Sequence, residues 1–137
     1  MKHFPHIFMD VIDHQNQRYE TLGDYYKYGN GWAVVASKSN ADMEFLILVH
    51  ELIELYLTQK KGIPEPKILK FDKKFEKERL EKKWDDEEPG DDPRAPYFFE
   101  HQFATQIEKE VAEELGIDWN EYEDICNKMK KRLDKKR

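Results

Sequence analysis

His50, Glu51 and Glu54 stand together in the run Phe45-Leu46-Ile47-Leu48-Val49-His50-Glu51-Leu52-Ile53-Glu54-Leu55-Tyr56-Leu57, with apolar residues on either side. Burying a lone carboxylate or imidazolium costs on the order of several kcal/mol unless it is paired or bound to a metal. In a helix of about 3.6 residues per turn, His50 and Glu54 share one face and Glu51 is offset by about 100°. Two ligands one turn apart with a carboxylate beside them make a metal-binding helix with an adjacent general base. The pattern is a variant of His-Glu-x-x-His in which the second ligand is Glu. A catalytic zinc takes three protein ligands and keeps a fourth position open, so a third ligand must come from elsewhere. The pair Glu100-His101 offers it. His101 would complete a His₂Glu set, Glu100 competes for the same position, and the sequence leaves both open. With a metal bound, Glu51 would take a proton from the attacking water and pass it to the leaving group. Tyr97 is a candidate for stabilising a developing oxyanion, against a plain packing role.

The competing reading is a metal-free polar network in which His50, Glu54 and His101 pair with one another, or with Arg18 or Arg94. Such four-residue strings are common on surface helices and much rarer between apolar residues. The ligand set accepts zinc, iron, nickel or manganese according to geometry and supply, and Zn²⁺ is the expected ion. A second enzyme class is a magnesium-dependent nucleotide pyrophosphatase, in which Glu51 and Glu54 would face Glu110 and Glu113. A third reading is a non-catalytic accessory protein with a structural metal.

The elements that must position these residues are legible from local signals. Tyr25-Tyr26-Lys27-Tyr28 and Trp32 to Ala36 flank Gly29-Asn30-Gly31, a strong hairpin signal, and Ile7 to Ile12 reads as a further strand. Residues 1–38 are therefore β-rich. The site helix runs over 41–61, capped by Ser39 or Asn40 and stopped by Gly62. An amphipathic helix over 67–84 carries Ile68, Phe71, Phe75, Leu80 and Trp84, and an acidic, proline-rich loop covers 85–96. Residues 97–137 hold two helices and a basic tail. On the first of these, Phe99, Phe103, Ile107 and Val111 form the apolar stripe, with Glu100, His101, Ala104 and Glu108 alongside. The fold class expected is α+β: a short antiparallel sheet packed on a buried site helix, with further helices following, in a single domain.

Composition sets outer bounds. The chain has 137 residues, of which 38% are charged and 39% hydrophobic, and its net charge is −6. That charge argues against nucleic acid or an anionic membrane as the main partner; the leading reading of the site, a metal-dependent hydrolase such as a zincin-like peptidase or amidase, would act on a peptide or small amide. A single cysteine, Cys126, excludes an internal disulfide and a cysteine-based zinc site. It falls on the apolar stripe of the last helix. The absence of a leader-like or membrane-spanning segment points to a cytoplasmic protein. His3, His6 and His14 read as solvated, and the acidic loop lacks the alternating ligands of a calcium site.

Four segments together resemble a family of small bacterial and bacteriophage proteins without an established activity. They are Arg18-Tyr19-Glu20-Thr21-Leu22-Gly23-Asp24, His50-Glu51-Leu52-Ile53-Glu54, Glu88-Pro89-Gly90-Asp91-Asp92-Pro93, and Ala95-Pro96-Tyr97 leading into Glu100-His101-Gln102-Phe103-Ala104-Thr105. The resemblance implies a common fold and site rather than a reaction. A looser likeness to zincin metalloproteases rests on the strand or hairpin followed by a His-Glu helix, and implies an edge strand that orients substrate beside the metal. Glu54 stands where zincins usually have a second histidine, which puts protease activity in doubt more than metal binding.

Overall fold

The computed structural model describes residues 2–82 and 88–134, with the side chains of 131–134 excepted. Trp84, the acidic residues Asp85 to Glu87 and the end of the basic tail lie outside the described residues. The chain forms three strands, β1 (Ile7–Ile12), β2 (Gly23–Tyr28) and β3 (Gly31–Ser37), and then four helices. These are α1 (Ala41–Lys60), α2 (Glu65–Lys82), α3 (Phe98–Glu114) and α4 (Trp119–Asp134), with a single 3₁₀ turn at Pro89–Asp91 before α3. The architecture is α+β. Among the described residues, no helix is long and apolar enough to cross a membrane.

The sheet order is β1-β3-β2. The β2–β3 hairpin is antiparallel, pairing Tyr28 with Gly31 across the two-residue turn Gly29-Asn30. The sheet is mixed rather than wholly antiparallel, because β1 pairs with β3 in parallel, Ile7 opposite Trp32 through to Ile12 opposite Ser37. The segment between β1 and β2 therefore crosses one end of β3. His14 on that segment is not solvated: its ring lies 2.9 Å from Ser37 Oγ and 2.8 Å from Glu20 Oε1.

Helix α1 begins where Asn40 Oδ1 accepts the Met43 N–H at 3.1 Å, with Asp42 and Glu44 in the first turn, where negative charge suits the helix dipole. It ends at Gly62, whose φ of +71° lets the Ile63 N–H reach back to Thr58 O at 2.9 Å. That reversal closes the last turn and needs a left-handed residue. Pro64 and Pro66 follow; Pro66 sits in the first turn of α2, where no donor is lost.

Three apolar clusters hold α1 in place. Leu55 packs with Tyr25, Trp32, Val34 and Ile68; Ile47 with Leu22 and Ala36; Met43 and Leu46 with Ala112 and Tyr122. The helix is not buried all round, since Phe45 and Tyr56 face outward. Three strands cover one side of it and α3 a second, leaving the third open.

Helix α3 departs from the expected stripe in its first half, while Val111 farther along packs against the cluster of Met43 and Leu46. Its buried residues are Glu100, His101, Ala104, Glu108 and Ala112, whereas Phe99 is 75% and Phe103 48% exposed. The small side chains of Ala104 and Ala112 let the two helices approach, and the polar residues between them meet the ionisable residues of α1. Leu55 has no exposed surface, so Leu55→Ala should cost about 2–5 kcal/mol in urea unfolding with little change of slope. Phe45→Ala, on the open side of the same helix, should cost clearly less.

Candidate metal centre

His50 and Glu54 project from α1 and His101 from α3; all three are buried. Glu54 Oε2 lies 2.7 Å from His50 Nε2 and 2.6 Å from His101 Nδ1, and the two ring nitrogens are 3.1 Å apart. The three atoms make a small triangle. The outer nitrogen of each ring is engaged as well: His50 Nδ1 is 2.8 Å from Glu108 Oε1, and His101 Nε2 is 3.2 Å from Asp91 Oδ1. A carboxylate can only accept, so each outer nitrogen carries the hydrogen. A neutral ring then has no proton on its inner nitrogen. Three lone pairs consequently point at one another, an arrangement that a cation relieves. Carboxylates behind ligating histidines are the usual support of such a site.

The alternative is protons. Burial alone would lower the His50 pKa, but Glu54 and Glu108 overcome it and raise it well above the ordinary imidazole range. Burial likewise opposes charge on His101, while Asp91 and Glu54 lift its pKa to about 10. For Glu54, burial works against ionisation and the two imidazoles more than offset it, holding the carboxyl at about 2. Two imidazolium rings would then face each other across 3.1 Å, where like charges repel. One divalent ion satisfies the same lone pairs without that repulsion. His50, Glu54 and His101 thus form a buried group that could hold a metal ion. Ligands around tetrahedral zinc stand roughly 3.3 Å apart for bonds of about 2.0–2.1 Å, so the triangle would open by several tenths of an ångström.

The other sequence candidates fall into distinct places. Glu100 is buried but turns away, and its Oε2 pairs with Lys61 Nζ at 2.6 Å. Glu51 faces the cavity beside the triangle, and among the described residues its carboxylate has no hydrogen-bond partner. Burial, then Glu54, raises its pKa well above the usual carboxyl value. Tyr97 lines the same cavity, but its hydroxyl donates to Asp72 Oδ1 at 2.5 Å. Neither arginine of the metal-free network reaches it. Arg18 pairs with Asp24 and Glu65, and Arg94 with Asp92. Glu110 and Glu113 are exposed and do not line this cavity, which removes the pairing behind the pyrophosphatase reading. The described acidic residues of the loop are engaged separately: Glu88 with Lys130, Asp91 with His101, Asp92 with Arg94. Lys130 is itself buried, so α4 is packed against the loop at this position.

The cavity encloses about 340 Å³, and residues 18–25 and 88–91 line it along with α1, α3 and α4. Three of its carboxylates are held by tyrosines. Tyr25 donates to Glu54 Oε1 at 3.2 Å, Tyr122 to Glu108 Oε2 at 2.7 Å, and Tyr19 to Asp72 Oδ2 at 2.6 Å. Burial raises the pKa of all three hydroxyls, and the neighbouring carboxylates add to it. The sequence reading did not assign Glu108, Asp91 or Asp72. Glu108 follows His101 by two helical turns, so the face they share was a usable signal; Asp72 had none.

Strand β2 is an edge of the sheet, yet its backbone beside the site is already occupied. Thr21 Oγ1 takes the Gly23 N–H at 3.3 Å and donates to Gly23 O at 2.7 Å. Asp24 Oδ1 accepts the Tyr25 N–H at 2.8 Å, and Arg18 donates to Tyr25 O at 3.3 Å. At Gly23 and Tyr25 the edge is thus engaged by the chain's own side chains.

No family model, curated protein or solved structure matches the chain.

Gly90 lies directly against His101, and a Cβ built on it would overlap the ring at Cγ and Nδ1. Gly90→Ala should displace the ring and weaken zinc binding by about tenfold or more, read by competition with a chromophoric chelator, while the far-ultraviolet dichroism stays unchanged. Asp72 supplies a pH signature. Burial pushes its pKa from 3.8 up to about 8, so between those values the folded chain holds a proton that the unfolded chain has lost. This group therefore lowers stability as pH rises from about 4 to about 8. Asp72→Asn, which does not titrate, should gain stability relative to the parent between about pH 5 and pH 8 in urea unfolding.

Proposed function

We propose that the protein is a metal-dependent hydrolase of amide bonds, a zincin-like peptidase or amidase, with His50, Glu54 and His101 as zinc ligands and Glu51 as general base. The observation that carries this reading is the convergence of three lone pairs beside a carboxylate without a hydrogen bond. Two histidines and a carboxylate suit zinc, and the same donors accept other divalent transition metals. The ion would supply Lewis acidity toward a carbonyl and an attacking water. The chain's own residues do the rest. Glu51, on the face next to His50, takes the proton of the water and returns it to the departing nitrogen. Glu108 and Asp91 hold the imidazoles with their inner nitrogens bare, and Tyr25 fixes the second oxygen of Glu54.

The occupied backbone of β2 bears on the substrate. With Gly23 and Tyr25 engaged at that edge, strand pairing next to the site is disfavoured, which favours a small amide or short peptide over a long extended chain. The burial of all three donors favours a second reading, a structural ion in a non-catalytic accessory protein.

Two substitutions separate the readings. His50→Ala should abolish stoichiometric zinc in elemental analysis of protein purified without a histidine tag. Glu51→Gln keeps the shape and a hydrogen bond but cannot accept a proton. It should retain zinc and the melting temperature while removing any amidase activity found by screening. Zinc lost from Glu51→Gln would make Glu51 a ligand. An ion retained throughout, with no activity in either protein, would leave the structural reading.

A further inference from the structure

Charge accounting in the cavity leaves one carboxylate without a role. Asp24 and Glu65 are paired with Arg18, Glu88 with Lys130, and Glu76 with Arg79. Glu54 and Glu108 are paired with the imidazoles. Glu51 stands beside the metal group as its base. Asp72 remains. It is 5% exposed, and no Lys, Arg or His among the described residues pairs with it. Tyr19 holds its Oδ2 and Tyr97 its Oδ1. Glu54 and Asp24, both acidic, raise its pKa further. A carboxylate has about four lone-pair sites, so two hydroxyl donors orient Asp72 without saturating it. Both tyrosines and Asp72 line the cavity that contains Glu51 and the metal group.

We infer that Asp72, set by Tyr19 and Tyr97, is the floor of a cation-binding subsite that seats an ammonium or guanidinium group of the substrate beside the metal centre. The inference deepens the hydrolase reading and rests on it for the word substrate. The physical reason is direct. Burial keeps a proton on Asp72 up to about pH 8, and a ligand cation is a group that would take that proton's place in a cavity whose other lining charges are mostly negative. Hydrogen bonds between charged partners are about twice as strong as neutral ones and fix orientation as well. Two tyrosine hydroxyls hold the acid in position before the ligand arrives, so little ordering is left for binding. With the backbone of β2 taken by Thr21, Asp24 and Arg18, an anchor of this kind replaces strand pairing as the means of placing a scissile amide. Because tyrosines rather than lysines support Asp72, no resident positive charge competes with a ligand cation for it.

Calorimetric titration of the zinc-loaded protein with three probes tests this. Leucinamide carries only an α-ammonium, N-acetylargininamide only a guanidinium, and N-acetylleucinamide neither. One of the charged probes should bind at least about tenfold more tightly than the uncharged one, and the winner identifies which cation the subsite takes. Asp72→Asn should erase that preference, and Asp72→Glu should restore part of it. Equal affinity of the parent protein for all three probes overturns the inference whether or not the variants fold. So does a preference that survives in folded Asp72→Asn. The same titrations on chelator-treated protein keep the two readings apart. A cation preference in protein that neither retains zinc on purification nor takes it up on loading removes the hydrolase reading alone, and retained zinc with amidase activity but no preference removes this subsite alone.

Discussion

Charge buried inside α1 is the constraint around which the remaining elements are arranged. His50 and Glu54 lie within one turn of a helix whose neighbours are leucine, isoleucine and valine, where neither would be tolerated unpartnered. Helix α3 answers with its polar face instead of its phenylalanines. The turn at Pro89–Asp91 brings Asp91 to the far side of His101, and Gly90 lets the backbone lie flat against the ring. Helix α4 contributes Tyr122 to Glu108 and Lys130 to Glu88. Removing either member of such a buried pair leaves a charge with no partner, which is the costly case. The cost holds the two helices, the turn and the hairpin in one relative position.

Tyrosine has a particular part in this arrangement. Tyr25 from β2, Tyr122 from α4, and Tyr19 with Tyr97 around Asp72 each give a carboxylate a hydrogen bond and add no positive charge. Lysine or arginine in the same places would have neutralised the cavity. Tyrosine satisfies the oxygen while preserving the potential, so the site keeps its attraction for cations. Arginine and lysine are placed where the charge is not needed: Arg18 locks Asp24 and Glu65 beside the strand, and Lys130 locks Glu88. The same device would serve an inorganic ion at the triangle and, in the proposed subsite, an organic one at Asp72.

The helical frame and the hairpin were legible because their signals are local. Asn40, Gly62 and the Gly29-Asn30 turn act within a few residues, and the apolar run between them is long enough to exclude a strand. The shared face of His50 and Glu54 follows from helical geometry alone. What was not legible depends on partners distant in sequence. The parallel pairing of β1 is set by the path of the segment that follows it, and nothing in Ile7 to Ile12 encodes direction. On α3, two faces were available, one of phenylalanines and one of alanines with acids. Hydrophobicity favours the first, yet the buried charge of α1 required the second. The choice between Glu100 and His101 was open for the same reason: adjacent residues point about 100° apart, and only the position of α1 decides which one faces it.

That reversal leaves Phe99 and Phe103 in solvent on one side of α3 while its acids lie inside, an inversion no folding argument based on apolar burial alone would produce. It follows that the site was not fitted into a fold chosen for stability. Had α3 rotated to bury its phenylalanines, roughly 25 cal/mol per Å² of apolar surface would have been gained. His101 and Glu108 would have swung away, leaving His50 and Glu54 unpartnered in an apolar environment at several kcal/mol each by the usual range for buried charge. The second loss exceeds the first unless most of both rings became buried. The observed rotation is therefore the one that electrostatics selects. A bound cation strengthens the selection, because binding to the folded arrangement alone adds stability in proportion to the logarithm of its concentration over its dissociation constant. Fold and site are in this sense a single solution, with the position of α3 as the variable that joins them.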